Sequence, residues 1–182
     1  MESLELEMDW VEHWAKVFCF DVLIGNTDRH QDNWGLIRNK DGKGRWSFAP
    51  AFDNNSSLGR EMSEIQFERI ISADIDKYVT GKKATHHLTL NRNDGKRLKH
   101  IDFIKLLISQ YPKMVNYMQS CLGFSVQDLT TEVNDLVYLS NSLGAQYVQL
   151  TPKRADLIIR LVNYRKEKLW ELISNASTSP DY

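Results

Sequence analysis

LIGNTDRHQDNWGLI, residues 23–37, and FAPAFDNNSSLG, residues 48–59, are the two stretches from which the rest of the chain is read. The first joins an apolar run to a cluster of polar and acidic groups, and the second returns with another acid, Asp53. Between them, residues 34–37 and 45–48 read as two strands, because β-favouring residues flank Asn39-Lys40-Asp41-Gly42-Lys43-Gly44, which is strong turn chemistry. A hairpin brings its ends together, so Asn33 and Asp53 are expected to meet at one ion. In-line phosphoryl transfer needs a carboxylate to orient the attacking hydroxyl and oxygen ligands to hold magnesium against the phosphates. Asp28, Asn33 and Asp53 supply such groups, and a carboxamide beside a carboxylate ligates a hard cation without adding a further negative charge.

Asp28-Arg29-His30-Gln31-Asp32-Asn33 is similar to the DxHxxN loop of HipA-like kinases, and Phe52-Asp53 resembles their counterpart of the DFG triplet. Phosphatidylinositol kinases have a similar DRHxxN loop, whereas ordinary protein kinases place His before Asp in HRDxxxxN. The resemblance covers about residues 21–59. It implies Asp28 as catalytic base, Asn33 and Asp53 as magnesium ligands, and His30 as an organiser near the phosphates or the second Asp. Asp28, Asn33, Phe52 and Asp53 would then face ATP. A protein substrate follows from the same resemblance, as does a toxin-type role with an antitoxin partner chain. One departure stands beside it: Asp28 has only 27 residues before it, which read as a helix without a glycine-rich loop or strand lysine. The amino-terminal lobe is therefore expected to be absent, or supplied in cis or by a partner. Gly81-Lys82-Lys83 is no substitute, lacking the spacing of a phosphate-binding loop.

The 182 residues suit one domain, expected over residues 1–175 with a disordered tail at 176–182. Hydrophobic content of 42% and charged content of 26% are ordinary globular values. No apolar run reaches the roughly 20 residues of a membrane span, and the acidic opening is unlike a leader, so a cytoplasmic setting is expected. Cys19 and Cys121 lack metal or redox spacing and read as packing residues. The net charge of −1 hides an asymmetry: residues 1–80 carry 9 Lys and Arg against 15 Asp and Glu, and residues 81–182 carry 14 against 9. Residues 81–100 are the most basic, with six Lys and Arg against Asp94 alone. They read as a solvated loop, an anion or substrate docking strip, or a nucleic-acid contact, the last disfavoured by the overall balance.

Apolar spacing predicts a helix over residues 5–23, with Trp10 and Trp14 inside and acids at its amino-terminal turns. Asp21 reads as a brace for the loop, a cap or a partly exposed acid, and Arg29 as a salt-bridge or surface group. Ser56 and Ser57 read as turn residues or phosphorylation sites. A helix over residues 62–79, broken near 72–74, would bury Ile65, Phe67, Ile70, Ile71 and Ile75. Helices follow from Ile101, Pro112, Ser125 and Thr151. Ser125 and Asp128 echo a capping box, Leu136 and Leu139 share a buried face, and residues 174–182 fray.

The expected fold is mainly α with a small β hairpin, resembling the carboxy-terminal lobe of a HipA-like kinase. The expected activity is ATP- and magnesium-dependent phosphorylation of a protein Ser or Thr. Two other readings stay open: a catalytically idle kinase-like binding module, and a lipid or small-molecule kinase. The plain alternative for Asp28, Asn33 and Asp53 is a polar turn that satisfies its own backbone.

Overall fold

The computed structural model describes residues 6–41, 43–89, 95–144 and 149–177. Its fold is mainly helical with one small antiparallel hairpin, as the sequence leads one to expect. Helix α1 (Trp10–Ile24) leads through a 3-10 turn (Gln31–Asn33) into β1 (Leu36–Ile37) and β2 (Ser47–Phe48), in which Leu36 pairs with Phe48 and Ile37 with Ser47. Next comes a broken helix: α2 (Glu64–Arg69), a π turn (Ile70–Asp74) and α3 (Ile75–Thr80). Four more follow: α4 (His100–Gln110), α5 (Met114–Cys121), α6 (Val126–Ser142) and α7 (Pro152–Ser177).

Helix α1 starts later than periodicity predicts. Asp9 caps it by accepting a hydrogen bond from the Val11 amide at 3.0 Å, while the Glu7 amide donates to the Trp46 carbonyl at 2.8 Å. Residues 6 and 7 thus extend the hairpin rather than the helix, and Met1 to Glu5 lie outside the described residues. The hairpin packs on the first turns of α1 through rings: His13 stacks on Phe48 at 3.8 Å and Trp34 meets Trp14 edge-on at 5.3 Å. Trp14 belongs to the core margin, whereas Trp10 is 46% exposed against Tyr111, contrary to expectation.

Helix α7 is the central strut and packs on every other helix. Leu157, Leu161, Leu169 and Ile173 are fully buried along it, each side chain worth about 1.5–3 kcal/mol of burial. Thr151 caps it, accepting from the Arg154 amide, and Pro152 opens its first turn. The expected box at α6 forms: Ser125 Oγ accepts from the Asp128 amide at 3.0 Å and Asp128 Oδ2 accepts from the Ser125 amide at 2.9 Å. Leu136 and Leu139 are nevertheless exposed, since α6 lies at the periphery and among its residues Val133 is the one buried. Helix continues through Ser177, past the start of the expected fraying; residues 178–182 lie outside the described residues. Cys19 and Cys121, far apart in sequence, sit together between α1 and α5, and the contact lowers the Cys121 thiol to about 7. Among the described residues no helix is long and apolar enough to cross a membrane.

The segment after Asp53 is tied to α7. Arg154 donates to the Gly59 carbonyl at 2.6 Å and to the Met62 carbonyl at 2.8 Å, and its guanidinium lies 4.3 Å from the Phe67 ring centre. Phe67 is buried, but Ile65, expected on the same face, is 91% exposed. Two positions apart on a six-residue helix, the pair cannot share one face. The side chain of Ile71 lies outside what is described. Phe67→Ala should therefore cost about 3–5 kcal/mol in a urea titration, whereas Ile65→Ser should stay within about 0.5 kcal/mol of the parent.

Candidate functional site

The loop begins where α1 is stopped. Gly25, at φ +69°, turns the chain out of the helix, and the Asn26 amide returns to the Asp21 carbonyl at 2.8 Å. Inside this turn Asp21 is wholly buried and pairs with an equally buried Arg29: Nε donates to Oδ2 at 3.0 Å and Nη2 to Oδ1 at 2.8 Å. The remaining guanidinium hydrogens reach the carbonyls of Asn33 (2.9 Å) and Phe52 (2.7 Å) and the side-chain oxygen of Asn54 (2.6 Å). All five N–H donors of Arg29 are used. Neither residue is the surface or capping group that the sequence left open. Together they clamp Asn33 to the segment that carries Asp53.

Around that clamp the loop satisfies itself. Asn26 is buried, donating to Asp21 Oδ1 at 3.0 Å and accepting from the Asp28 amide at 3.1 Å. Asn33 is 2% exposed and its amide nitrogen donates to the Asp28 carbonyl at 2.7 Å. This leaves the Asn33 oxygen, the atom able to ligate a hard cation, without a hydrogen bond from any described residue. His30 Nδ1 accepts from the Asp32 amide at 3.2 Å, which puts the proton of a neutral ring on Nε2. Phe52 presents an exposed ring. Asp53 is exposed in the left-handed region at φ +51°, with Oδ1 accepting from Asn55 at 3.1 Å. A non-glycine residue held at positive φ is a sparsely populated state, and an acid tolerates it better than most residues.

The basic segment holds functional neighbours that the sequence did not reveal. Its base is pinned, the His86 amide donating to the Leu98 carbonyl at 2.9 Å and the His100 amide to the Ala84 carbonyl at 3.0 Å. Lys82, Lys83, Lys96 and Lys99 stay exposed, as a solvated strip would, but the histidines do not. His86 is buried, stacked 4.4 Å from Phe103, with Nε2 3.7 Å from Asp21 Oδ2, too far for a hydrogen bond. His100 donates from Nε2 to the Asn26 carbonyl at 2.9 Å. His87 Nδ1 lies 3.4 Å from Asp28 Oδ1, and its ring is 5.6 Å from that of His30. Since His87 Nε2 faces the Arg97 guanidinium at 3.4 Å, the neutral tautomer places its proton on Nδ1, toward Asp28. Arg92 and Asp94 of this segment lie outside the described residues.

Burial sets the charge of these rings. It pushes His86 down to about 3, helped by the Arg29 and His87 charges, and His100 down to about 4, helped by His86 and Arg165. His87 is lowered too, by burial and then Arg97, with Asp28 pulling the other way. The clamp is thus one ion pair with neutral imidazoles packed against it. Among the described residues no three His, Cys, Asp or Glu converge as a metal cluster. One carboxylate and one carboxamide nevertheless suit magnesium, which usually takes only one or two protein ligands and fills its octahedron with phosphate and water.

A family model described as HipA-like C-terminal domain matches residues 2–122. Among curated proteins, serine/threonine-protein kinase CtkA of Helicobacter pylori is 30% identical over 88 residues, which is 48% of this chain and 26% of that protein. Among solved structures, the crystal structure of a Helicobacter pylori proinflammatory kinase CtkA superposes with a TM-score of 0.72 at 17% identity, over 92% of this chain and 54% of that one. The chain therefore spans about a quarter of the curated relative and about half of the solved one.

Two measurements probe the clamp. Arg29→Met, which strands a buried Asp21 carboxylate, should lower the unfolding free energy by about 3–5 kcal/mol in denaturant titrations. His86 and His100 titrate lower when folded than their ordinary value of about 6.5, so the unfolded chain binds protons first. Their contribution is complete above about pH 6.5 and is lost as pH falls from there toward their folded values. Each should cost up to about 1.4 kcal/mol per pH unit over that fall, and His86→Phe should flatten the profile.

Proposed function

We propose, from the premise that this chain belongs to the family of HipA-like C-terminal domains, that it works as the catalytic lobe of a kinase transferring the γ-phosphoryl group of ATP to a protein Ser or Thr hydroxyl. The observation that carries the reading is the Arg29 clamp, which binds Asn33 and both neighbours of Asp53 to one guanidinium. A polar turn that satisfied only itself would have no cause to hold these two segments together.

In this reading Asp28 orients the acceptor hydroxyl and takes its proton. Its carboxylate is half-exposed, as a group that must meet a substrate has to be, and His87 presents an N–H beside it. The free oxygen of Asn33 and the carboxylate of Asp53 would hold magnesium, which supplies charge neutralisation for the transferred phosphoryl group. His30, fixed by its bond from Asp32, organises the loop from the side of His87. Phe52 offers its ring to the nucleotide while its carbonyl stays on Arg29. A phosphate-covering lobe completes the site, in cis or from a partner chain, since the relatives are longer than this chain.

The test is Mg-ATP binding followed by transfer. Mg-ATP should raise the melting temperature, and Asn33→Ala and Asp53→Ala should each remove the magnesium-dependent part. Asp28→Asn should keep the melting temperature and the shift but lower phosphoryl transfer by about 10²- to 10⁴-fold, measured with labelled ATP and the completing lobe present. A melting curve indifferent to Mg-ATP, with and without that lobe, would leave an idle binding module. Transfer to lipid extracts in place of protein acceptors would move the substrate class.

A further inference from the structure

Beside the loop lies a cavity of about 440 Å³. It is bounded by the end of α1, the serine-containing turn at residues 56–59, the end of α3 and the turn that follows at residues 81–84. Neither Asp28, Asn33 nor Asp53 lines it. Its walls carry the cations Arg60, Lys77, Lys82, Lys83 and Arg165 against one carboxylate, Glu61. That carboxylate is engaged by the Tyr78 hydroxyl at 2.7 Å. None of the five cations forms an ion pair with a described carboxylate. Elsewhere the chain does pair its surface cations, as Lys16 with Glu12 and Arg160 with Asp156 show.

Arg165 makes the cavity more than a basic surface. It is 4% exposed, a guanidinium withdrawn from water, and the Glu61 carboxylate on the same walls favours its charge without forming an ion pair with it. Its hydrogen bond to the Leu23 carbonyl is long, at 3.5 Å. Burial draws its pKa down, while the Tyr78 hydroxyl and the Glu61 carboxylate pull the other way. The guanidinium lies against Gly25, the left-handed residue that ends α1. A buried cation whose nearby carboxylate is already engaged by Tyr78 is incompletely compensated, and a dianion that fits beside it relieves that cost. A capping cation for α1 alone would need neither the four further cations nor the hydroxyls of Thr27, Ser56 and Ser57 on the same walls.

We propose that this cavity is a docking site for a phosphomonoester, held by the Arg165 fork at its floor and by Lys82 and Lys83 at its rim. The guanidinium matches two phosphate oxygens at once, the lysines act as point charges, and the Thr27 and Ser56 hydroxyls supply neutral donors. The group can arrive on a phosphorylated seryl or threonyl side chain, or as a free phosphate. The site is separate from phosphoryl transfer at Asp28 and does not depend on it.

Calorimetric titration of the 182-residue chain decides the matter, using a phosphoserine peptide, its unphosphorylated twin, O-phosphoserine and inorganic phosphate. Saturable binding of the phosphorylated probes but not of the twin is the expected result. Tighter binding of the phosphopeptide than of inorganic phosphate assigns the site to a protein segment, and equal binding assigns it to free phosphate. Lys82→Ala/Lys83→Ala, both exposed and safe for folding, should weaken binding by about tenfold or more. Lys43→Ala, on the hairpin, should change nothing, and Arg165→Gln should abolish binding if its circular dichroism matches the parent. Absence of saturable binding, equal binding of the twin, or indifference to the double lysine variant would overturn the proposal. Asp28→Asn should bind as the parent does, so a failed transfer assay and a failed docking site are distinguishable.

Discussion

Everything near the loop depends on one guanidinium having five partners. Arg29 donates two hydrogen bonds to a buried carboxylate that belongs to α1, and three to chain segments that belong to the loop and to the strand-exit turn. A helix, a loop and a hairpin exit are thereby set against a common plane. Lysine cannot do this, because its ammonium has three donors on a flexible stem and no planar fork. The pair does not earn its place through net stability, since the desolvation of two charges offsets much of their attraction. Its contribution is specification: the five directions are fixed, so Asn33 and residues 52–54 have one mutual arrangement.

The clamp in turn relies on rigid support behind it. Asp21 is presented by the last full turn of α1, whose buried face packs on α4, α5 and α7. The segment beyond Asp53 is stopped by Arg154, which reaches two of its carbonyls from α7, and by the close contact of Gly59 with Met62 and Leu161. Gly59 is at φ +68°, so the backbone demands glycine, and an added Cβ would also push aside the flexible end of Met62. The long helix therefore acts at a distance. It holds the return path of the turn that carries Asp53 while the clamp holds the approach.

How much of this could be read from the sequence follows from which signals are local. The hairpin, the box at Ser125, the Thr151 cap and the break near residues 72–74 are written in adjacent residues and form, although the strands span residues 36–37 and 47–48 rather than 34–37 and 45–48. The loop motif was legible too, as a pattern of residue types. What it did not reveal was that its second residue is the hub: Arg29 looks like a surface arginine until its partner, eight positions upstream inside an apolar run, is known to be buried. That isolated Asp21 was the available signal. The histidines were hidden for another reason. A run of lysines dominates residues 81–100, yet composition averages over side chains that point in opposite directions, and His86 and His100 turn inward while the lysines turn out. Exposed Trp10, Leu136 and Leu139 share a third cause, since periodicity marks a face but not whether another element covers it.

The charge asymmetry of the chain acquires a local meaning at the Thr27–Asp28 step. Thr27 lines the cationic cavity, whereas Asp28 is not part of its lining and lies beside His87. The buried Asp21–Arg29 pair and the neutral His86 and His100 rings lie close behind the same loop. Were those imidazoles protonated, positive charge would spread toward Asp28 and blur the separation between an anion-attracting side and a carboxylate side. Burial keeps them neutral, with His86 and His100 held well below their ordinary values. Low-dielectric packing around Phe103 thus does more than fill the core. It keeps the Asp28 carboxylate and the cationic cavity from being joined by further positive charge, which is what the proposed cation and phosphomonoester sites each require.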